Sequence, residues 1–490
     1  MLAAVSDADP KTPATAGRSI APLLLGVAAI GAFALHEALE VARAEWFSRD
    51  DFALLLYVQR PWSWLDAFLP IERGFWWTYR PLGMDAFFRL AFQAFGLDAF
   101  RWFAVELAVH AALGPATFLL ARRLGFERPA AVTAGALAVL ASPSLGGLYY
   151  ASVFHYVAAN LLGAIALLFF HAGLHSAAWL PRIGAAVAFA AALLCNESAL
   201  VIPGVAALLA VRSSGASRRL GAVAMSVAPL CLLAAIYLVL RFGVFELADP
   251  PAAYTPRFRG NLLRHFWMQP MWLAGGRGRL VIALVSMGAI LGAAVHAARA
   301  EPAPLRRLLR DYALLLPWLL AAIAVFAMLP FSHSRFAITL QLPGALLVGA
   351  HLDAVWRSYG ARLGTTLQAG FVVLLLLALP QDAMRQRAAS PWGGPARDFV
   401  EGIGRIHPRL PPGTELRVLH GGDELASRAQ MERVRRLTYG GSAIKVVRHA
   451  ERLGAVRFVE VAAARREPRC ARCAYVALGP DLKIRPAPPL

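Results

Sequence analysis

Residues 219–240 read RLGAVAMSVAPLCLLAAIYLVL. From Leu220 to Leu240 the stretch carries no charged side chain, and a run of about 17–25 apolar residues is what a helix needs to cross a bilayer. A helix on the surface of a soluble domain needs a polar face, and this one has none. Working outward, comparable runs occur at 20–36, 98–121, 129–146, 150–171, 179–195, 198–211, 279–297, 311–330, 336–353 and 363–380. The expected fold is therefore mainly α, a polytopic transmembrane helical bundle of about 11 spans. Composition agrees, because 58% of the 490 residues are hydrophobic and only 16% are charged, against about 25% charged in a soluble domain. Such a balance excludes an ordinary soluble enzyme and a disordered chain, and the 40 Gly and 32 Pro are scattered, which excludes a collagen-like repeat.

The formal charge of +19 would suggest nucleic acid in a soluble protein. In a membrane protein basic residues gather in cytoplasmic loops and beside anionic lipid, so the surplus sets orientation and no nucleic-acid partner is expected. With residues 1–19 as a cytoplasmic N-terminal tail, Arg122, Arg123, Arg128, Arg218, Arg219, Arg306, Arg307 and Arg310 fall inside, whereas the short outer loops hold only Arg335. The protein is thus expected in the inner (plasma) membrane with its N-terminus cytoplasmic. Ala32-Phe33-Ala34 has the form of a signal-peptidase site, but the first span is read as an uncleaved anchor. The membrane domain covers 20–380, with long outer loops at 37–97 and 241–278.

From Pro380 onward the pattern changes. Strands are expected at 414–419, 443–447, 456–461 and 474–478, and helices at 395–407 and 423–438, which makes 381–490 a small extracytoplasmic α/β domain. Its basic surplus does not contradict the orientation, since the positive-inside rule counts short loops and not translocated domains. Cys470-Ala471-Arg472-Cys473 is a lone CxxC. Zinc would need a second ligand pair, so a local disulfide is the expectation for a tail outside the cytoplasm. Cys195 and Cys231 lie in apolar runs and read as buried small hydrophobes.

Ionisable residues cluster at the outer ends of the spans. Arg49-Asp50-Asp51 follows the first span. Asp50 and Asp51 could hold a divalent cation, or one could serve as general base toward an acceptor hydroxyl while the other orients it. A solvated loop with an N-capping Asp is the plain alternative. Farther along the loop, Tyr79-Arg80-Pro81-Leu82 ends an aromatic stretch. The aromatics suit a membrane interface, and the residue before a proline has an extended backbone that would present the Arg80 guanidinium to a phosphate. His155 and Tyr156 start the fourth span, Asn196-Glu197 occupy the turn between spans five and six, and Ser332-His333-Ser334-Arg335 opens span ten. Glu197 could equally face a helix dipole, and His155 could be a satisfied interfacial histidine.

Asp-Asp after the first span, Tyr-Arg-Pro-Leu at 79–82, Asn-Glu-Ser-Ala-Leu at 196–200, and Ser-Arg-Phe followed by Leu-Pro-Gly at 334–344 together resemble the membrane glycosyltransferases of the GT-C superfamily. The nearest groups are the dolichyl-phosphate-mannose protein mannosyltransferase-like and aminoarabinose-transferase-like enzymes. The resemblance implies a hexosyl- or pentosyltransferase of the cell envelope. Such an enzyme takes its sugar from a polyprenyl-phosphate donor and passes it to a glycan, lipid or protein acceptor on the extracytoplasmic side. It further implies a base or metal partner at Asp50 or Asp51, donor-phosphate binding by Arg80 and Arg335, and acceptor or donor contacts from Tyr79, His155, Glu197 and His333. Asn196 stands where the family often has Lys, so one cation is missing from that turn. The rival reading is a transporter or flippase of a lipid-linked or small polar substrate. Its best support is Glu106 and His110, one turn apart inside the second span.

Overall fold

The computed structural model describes most of residues 79–140, 151–214, 220–244, 303–327 and 334–358, parts of 28–68, and four strands of the tail. Expected spans 279–297 and 363–380, the strand at 443–447 and the helix at 423–438 lie almost wholly outside the described residues.

The chain order begins with α1 (Asp50–Val58) and continues through a π turn (Pro81–Ala86) into α2 (Phe87–Phe95). Next come α3 (Ala99–Arg123), α4 (Arg128–Leu140), α5 (Phe154–Leu174) and α6 (Leu180–Cys195), the last leading through a 3-10 turn (Glu197–Val201) into α7 (Ile202–Ser214). Then follow α8 (Leu220–Val239), whose helical course runs on to Val244, and α9 (Ala303–Ala327). The last is α10, Phe336–Ser358, which a 3-10 turn (Ser334–Leu340) opens. Among the described residues α3, α5, α8, α9 and α10 are long and apolar enough to cross a membrane, and α4 and α6 are shorter apolar helices. The expected spans at 98–121, 150–171, 219–240, 311–330 and 336–353 correspond to these five.

Sequence explains the helix ends. Asp98 caps α3 by accepting the Arg101 N–H, and Arg122 and Arg123 in its last turn complement the helix dipole. In hydrocarbon the helices gain little by burying apolar surface, so they associate through close packing of small residues. Gly114 of α3 and Gly135 of α4 face one another so tightly that a Cβ on Gly135 would stand 2.8 Å from the Gly114 carbonyl oxygen. Many buried residues of α5 and α6 are likewise small, among them Ala159, Ala166, Ala185, Ala188 and Ala192, beside the larger Leu167, Phe170, Phe189 and Leu193. By contrast α8 leaves Leu232, Ile236 and Val239 exposed, as a lipid-facing helix should.

The ionisable residues divide between two ends of the bundle. At one end Arg357 binds Asp353 (2.9 Å) and Glu127 (2.7 Å), Arg307 reaches Asp353 (3.3 Å), and Arg212 pairs with Asp311. This network ties the α3–α4 turn to α7, α9 and α10. At the other end lie the starts of α1 and α5, the α6–α7 turn and the end of α8. An aromatic cluster packs near that second end. Phe47 and Phe88 meet Trp102 edge-on at 5.3 and 5.0 Å, and Phe87 stacks on Phe154 at 3.6 Å.

In the tail, β1 (Thr414–His420), β2 (Leu453–Glu460), β3 (Cys473–Leu478) and β4 (Ile484–Pro486) form one sheet in the order β2-β1-β3-β4. β1 is central and parallel to both β2 and β3, while β4 pairs antiparallel on β3. Three of these strands match the expected ones, and β4 was not anticipated because its run is short and proline-flanked. Cys473 is disulfide-bonded; Cys470 lies outside the described residues. Cys195 is buried as expected, but Cys231 is exposed on α8, since an apolar run that faces lipid looks the same in sequence as one that faces protein.

Candidate functional site

The site is built around a bend that only glycine permits. Arg80 has a non-helical backbone (φ −138°, ψ 61°), and Pro81 then starts the π turn. That turn lies flat against α5 and α6 at Gly83, where a Cβ would stand 2.5 Å from the His155 Cβ, 2.8 Å from the Cys195 carbonyl oxygen and 2.9 Å from the Cys195 Cα. Because the backbone comes this close, the Arg80 side chain reaches the α6–α7 turn. Its Nε donates to Glu197 Oε2 (2.8 Å) and its Nη2 to Oε1 (2.6 Å), a bidentate pair.

The third arm of the guanidinium, Nη1, donates to His155 Nε2 (2.9 Å). A guanidinium has only donors, so Nε2 is the accepting nitrogen of the ring. On the far side of the imidazole the Asn196 amide lies 2.6 Å from Nδ1, and Asn196 Oδ1 accepts the Ser198 N–H (2.8 Å), which closes the 3-10 turn. The Arg80 guanidinium also stands 5.7 Å over the Tyr156 ring. Arg80, His155 and Asn196 are all buried.

A second arginine completes the cluster. Arg241, in the last turn of α8, stands 3.4 Å from Glu197 Oε2 and donates to the Tyr237 hydroxyl (3.3 Å), which donates in turn to the Tyr79 carbonyl (3.1 Å). The Arg241 Nε is buried and has no hydrogen-bond partner among the described residues. Burial alone would push the Glu197 carboxyl up, but the Arg80 and Arg241 guanidiniums outweigh it and hold the group well below the usual carboxylate range.

Asp51 opens α1 as a wholly buried side chain, and its Oδ1 accepts the Ser152 N–H (2.7 Å). A solvated-loop reading therefore fails for Asp51. Ser152 lies one turn before His155, which places Asp51 near the arginine cluster. Glu106 of α3 is its electrostatic neighbour, also wholly buried, with neither carboxylate oxygen hydrogen-bonded among the described residues. His110, one turn deeper, spends its Nε2 on the Val139 carbonyl of α4 (2.8 Å). Among the described residues no group of three or more His, Cys, Asp or Glu side chains stands together, and the Asp50 side chain lies outside them. One Asp51 oxygen is committed to a backbone N–H.

Of the residues singled out in sequence, Arg80, His155 and Glu197 come into direct contact. Tyr79 is buried beside them, its hydroxyl donating to the Phe68 carbonyl (3.1 Å). Nothing is described of the Asp50 and Arg335 side chains or of His333. Arg241, the first residue of the outer loop expected at 241–278, is not among the expected site residues. Its signal was present all the same, as the first charge after the apolar run that ends at Leu240. A small cavity opens beside the cluster, with Asn160, Ser198, Thr339 and Trp318 among its lining residues.

No protein-family model matches the chain, and no curated protein matches it. Solved structures do. The crystal structure of ArnT from Cupriavidus metallidurans bound to undecaprenyl phosphate is similar at 15% identity, with 88% of this chain and 77% of that one covered and a TM-score of 0.47. The Archaeoglobus fulgidus oligosaccharyltransferase, in complex with Zn and sulfate, is similar at 14% identity, covering 86% and 62%, with a TM-score of 0.48.

Proposed function

We propose that the chain is an integral-membrane glycosyltransferase that moves a hexosyl or pentosyl group from a polyprenyl-phosphate donor to a glycan, lipid or protein acceptor on the extracytoplasmic side. The reading is carried by the cluster of Arg80, Arg241, His155 and Glu197 at the end of the bundle opposite the arginine network. Two guanidiniums at a membrane edge suit an anionic headgroup that arrives sideways from lipid.

In the reaction Asp51 is the general base, with Asp50 beside it in the first turn of α1. Its carboxylate removes the acceptor hydroxyl proton as that oxygen bonds to the sugar C1 and the bond from C1 to the phosphate oxygen breaks. The electron pair leaves with the phosphate as a phosphomonoester, and Arg80, Arg241 and Arg335 stabilise the charge that develops there. Tyr79, His155, Glu197 and His333 are the further donor or acceptor contacts proposed. Domain limits follow the sequence reading, with 381–490 outside the cytoplasm, and the disulfide at Cys473 suits an oxidising compartment.

The test is sugar transfer from a radiolabelled polyprenyl-phosphate sugar in proteoliposomes. Asp51→Asn should lose activity by at least a hundredfold, and full activity in both Asp50→Asn and Asp51→Asn would overturn the assignment. A reporter fused after Leu490 that is active only outside the cytoplasm should be active. The transporter reading draws on the buried Glu106 carboxylate, which has no hydrogen-bond partner among the described residues. Substrate-specific solute flux through proteoliposomes, with no transfer, would favour it.

A further inference from the structure

The carboxylate between the two arginines has the position an anionic ligand would take. Glu197 Oε1 and Oε2 accept from Arg80, and Oε2 also faces Arg241 at 3.4 Å. A residue needed only to cap the 3-10 turn would not have to be acidic, because Asn196 already satisfies the Ser198 N–H. Nor is the arginine pair saturated, since the buried Arg241 Nε has no partner among the described residues. The described charges of the cluster are two guanidiniums and one carboxylate, which leave one net positive charge and a spare donor.

We propose that Glu197 is a specificity-determining residue of the anion site, a fixed counter-charge that tunes the arginine pair to a phosphodiester monoanion and disfavours the phosphomonoester dianion that transfer leaves behind. The proposal rests on the lipid-phosphate donor proposed above. A sugar linked through one phosphate to a lipid is a diester with one negative charge. After C1 departs, the phosphate is a monoester that loses a second proton near pH 6 and carries two charges at pH 8. A site with two uncompensated arginines would hold that product tightly and stall turnover. With Glu197 in place the diester neutralises the Arg80–Arg241–Glu197 cluster, while the monoester brings one further charge against a carboxylate held within hydrogen-bond reach of the same guanidiniums. Glu197 thereby favours binding of the donor over that of the product.

Binding of farnesyl phosphate and of its methyl diester to the full-length detergent-solubilised protein at pH 8 tests this. The wild type should bind the diester as tightly as the monoester or more so. Glu197→Gln should bind the monoester about tenfold tighter or more, as expected for the loss of one close unscreened charge, with the diester changed much less. Product inhibition of transfer by polyprenyl phosphate should rise in parallel. Equal weakening of both probes in Glu197→Gln would make Glu197 a scaffold for the arginines and overturn the proposal, as would unchanged affinities. If Glu197→Gln fails to fold, the wild-type ratio still decides, because a tenfold preference for the monoester overturns the idea. Wild-type protein that binds neither probe refutes the lipid-phosphate donor itself, a result distinct from a wrong preference between the two.

Discussion

Replacing Gly83 by Ala adds one methyl group, and its three nearest atoms leave it no room. The new Cβ would stand 2.5 Å from the His155 Cβ and under 3.0 Å from the Cys195 carbonyl oxygen and Cα. An ordinary carbon contact is about 3.5–4.0 Å, so the π turn must retreat by roughly 1 Å. None of the three atoms is the tip of a flexible side chain that could swing aside. Overpacking of this kind costs about 1–3 kcal/mol, readable as a lower Tm in detergent. The functional cost should be larger. Arg80 precedes the turn and must span to Glu197 with bonds of 2.6 and 2.8 Å; a 1 Å retreat takes both past hydrogen-bond length, and displacement of a positioning group by that amount can cost about a hundredfold in rate. Gly204→Ala is the matched control, since nothing stands within 4 Å of its Cβ position. Gly83→Ala should lose about a hundredfold in sugar transfer with a modest fall in Tm, while Gly204→Ala is unaffected in activity. Wild-type transfer by Gly83→Ala would refute the reasoning that the close approach of this turn sets the position of Arg80.

Arg80→Ala should destabilise the protein by about 3–5 kcal/mol, because it strips a largely buried carboxylate of its bidentate partner; thermal unfolding measures it, and Arg80→Lys should recover only part of the loss, having no fork to match both oxygens. The pH dependence follows from the depressed Glu197 carboxyl, whose folded value lies below its ordinary 4.5. The stability it confers is fully present above that unfolded value and declines as pH falls from there through the folded one, so the Tm gap between wild type and Glu197→Gln should be constant from pH 8 to about pH 5 and shrink below pH 4. At the other end of the bundle, Asp353→Asn removes the shared partner of Arg307 and Arg357. It should lower Tm by the equivalent of about 3–5 kcal/mol without changing the affinity for farnesyl phosphate, and a change in affinity would show that the two ends are coupled.

The long spans were legible because a charge-free run of 20 or so residues has no soluble alternative. Shorter elements were not: residues 198–201 read as the start of an apolar span, yet with Glu197 they form a 3-10 turn, where Asn196 spends its side chain on the Ser198 N–H. Arg307, which the loop-charge rule sorts to one side, lies in the ionic network with Arg212 and Arg357, and Arg80, His155 and Glu197 lie together at the other end. What periodicity could not reveal was pairing. Arg80 and Glu197 are 117 residues apart, and no local pattern says that the second is the counter-ion of the first.

That pairing alters what the motif residues mean. Read singly, Arg80 is a cation that awaits a phosphate and Glu197 is a carboxylate at a helix start. Read together, each is the other's partner, and a phosphate that enters must share Arg80 with a carboxylate that holds it by two bonds. Arg241 is then the more available cation of the two, with its longer contact to Glu197 and its unused Nε. Arg241→Gln should consequently weaken diester binding without the loss of stability expected of Arg80→Ala. If instead Arg241→Gln unfolds as readily as Arg80→Ala while diester affinity is retained, Arg241 belongs to the scaffold, and the headgroup must be held by Arg80 alone.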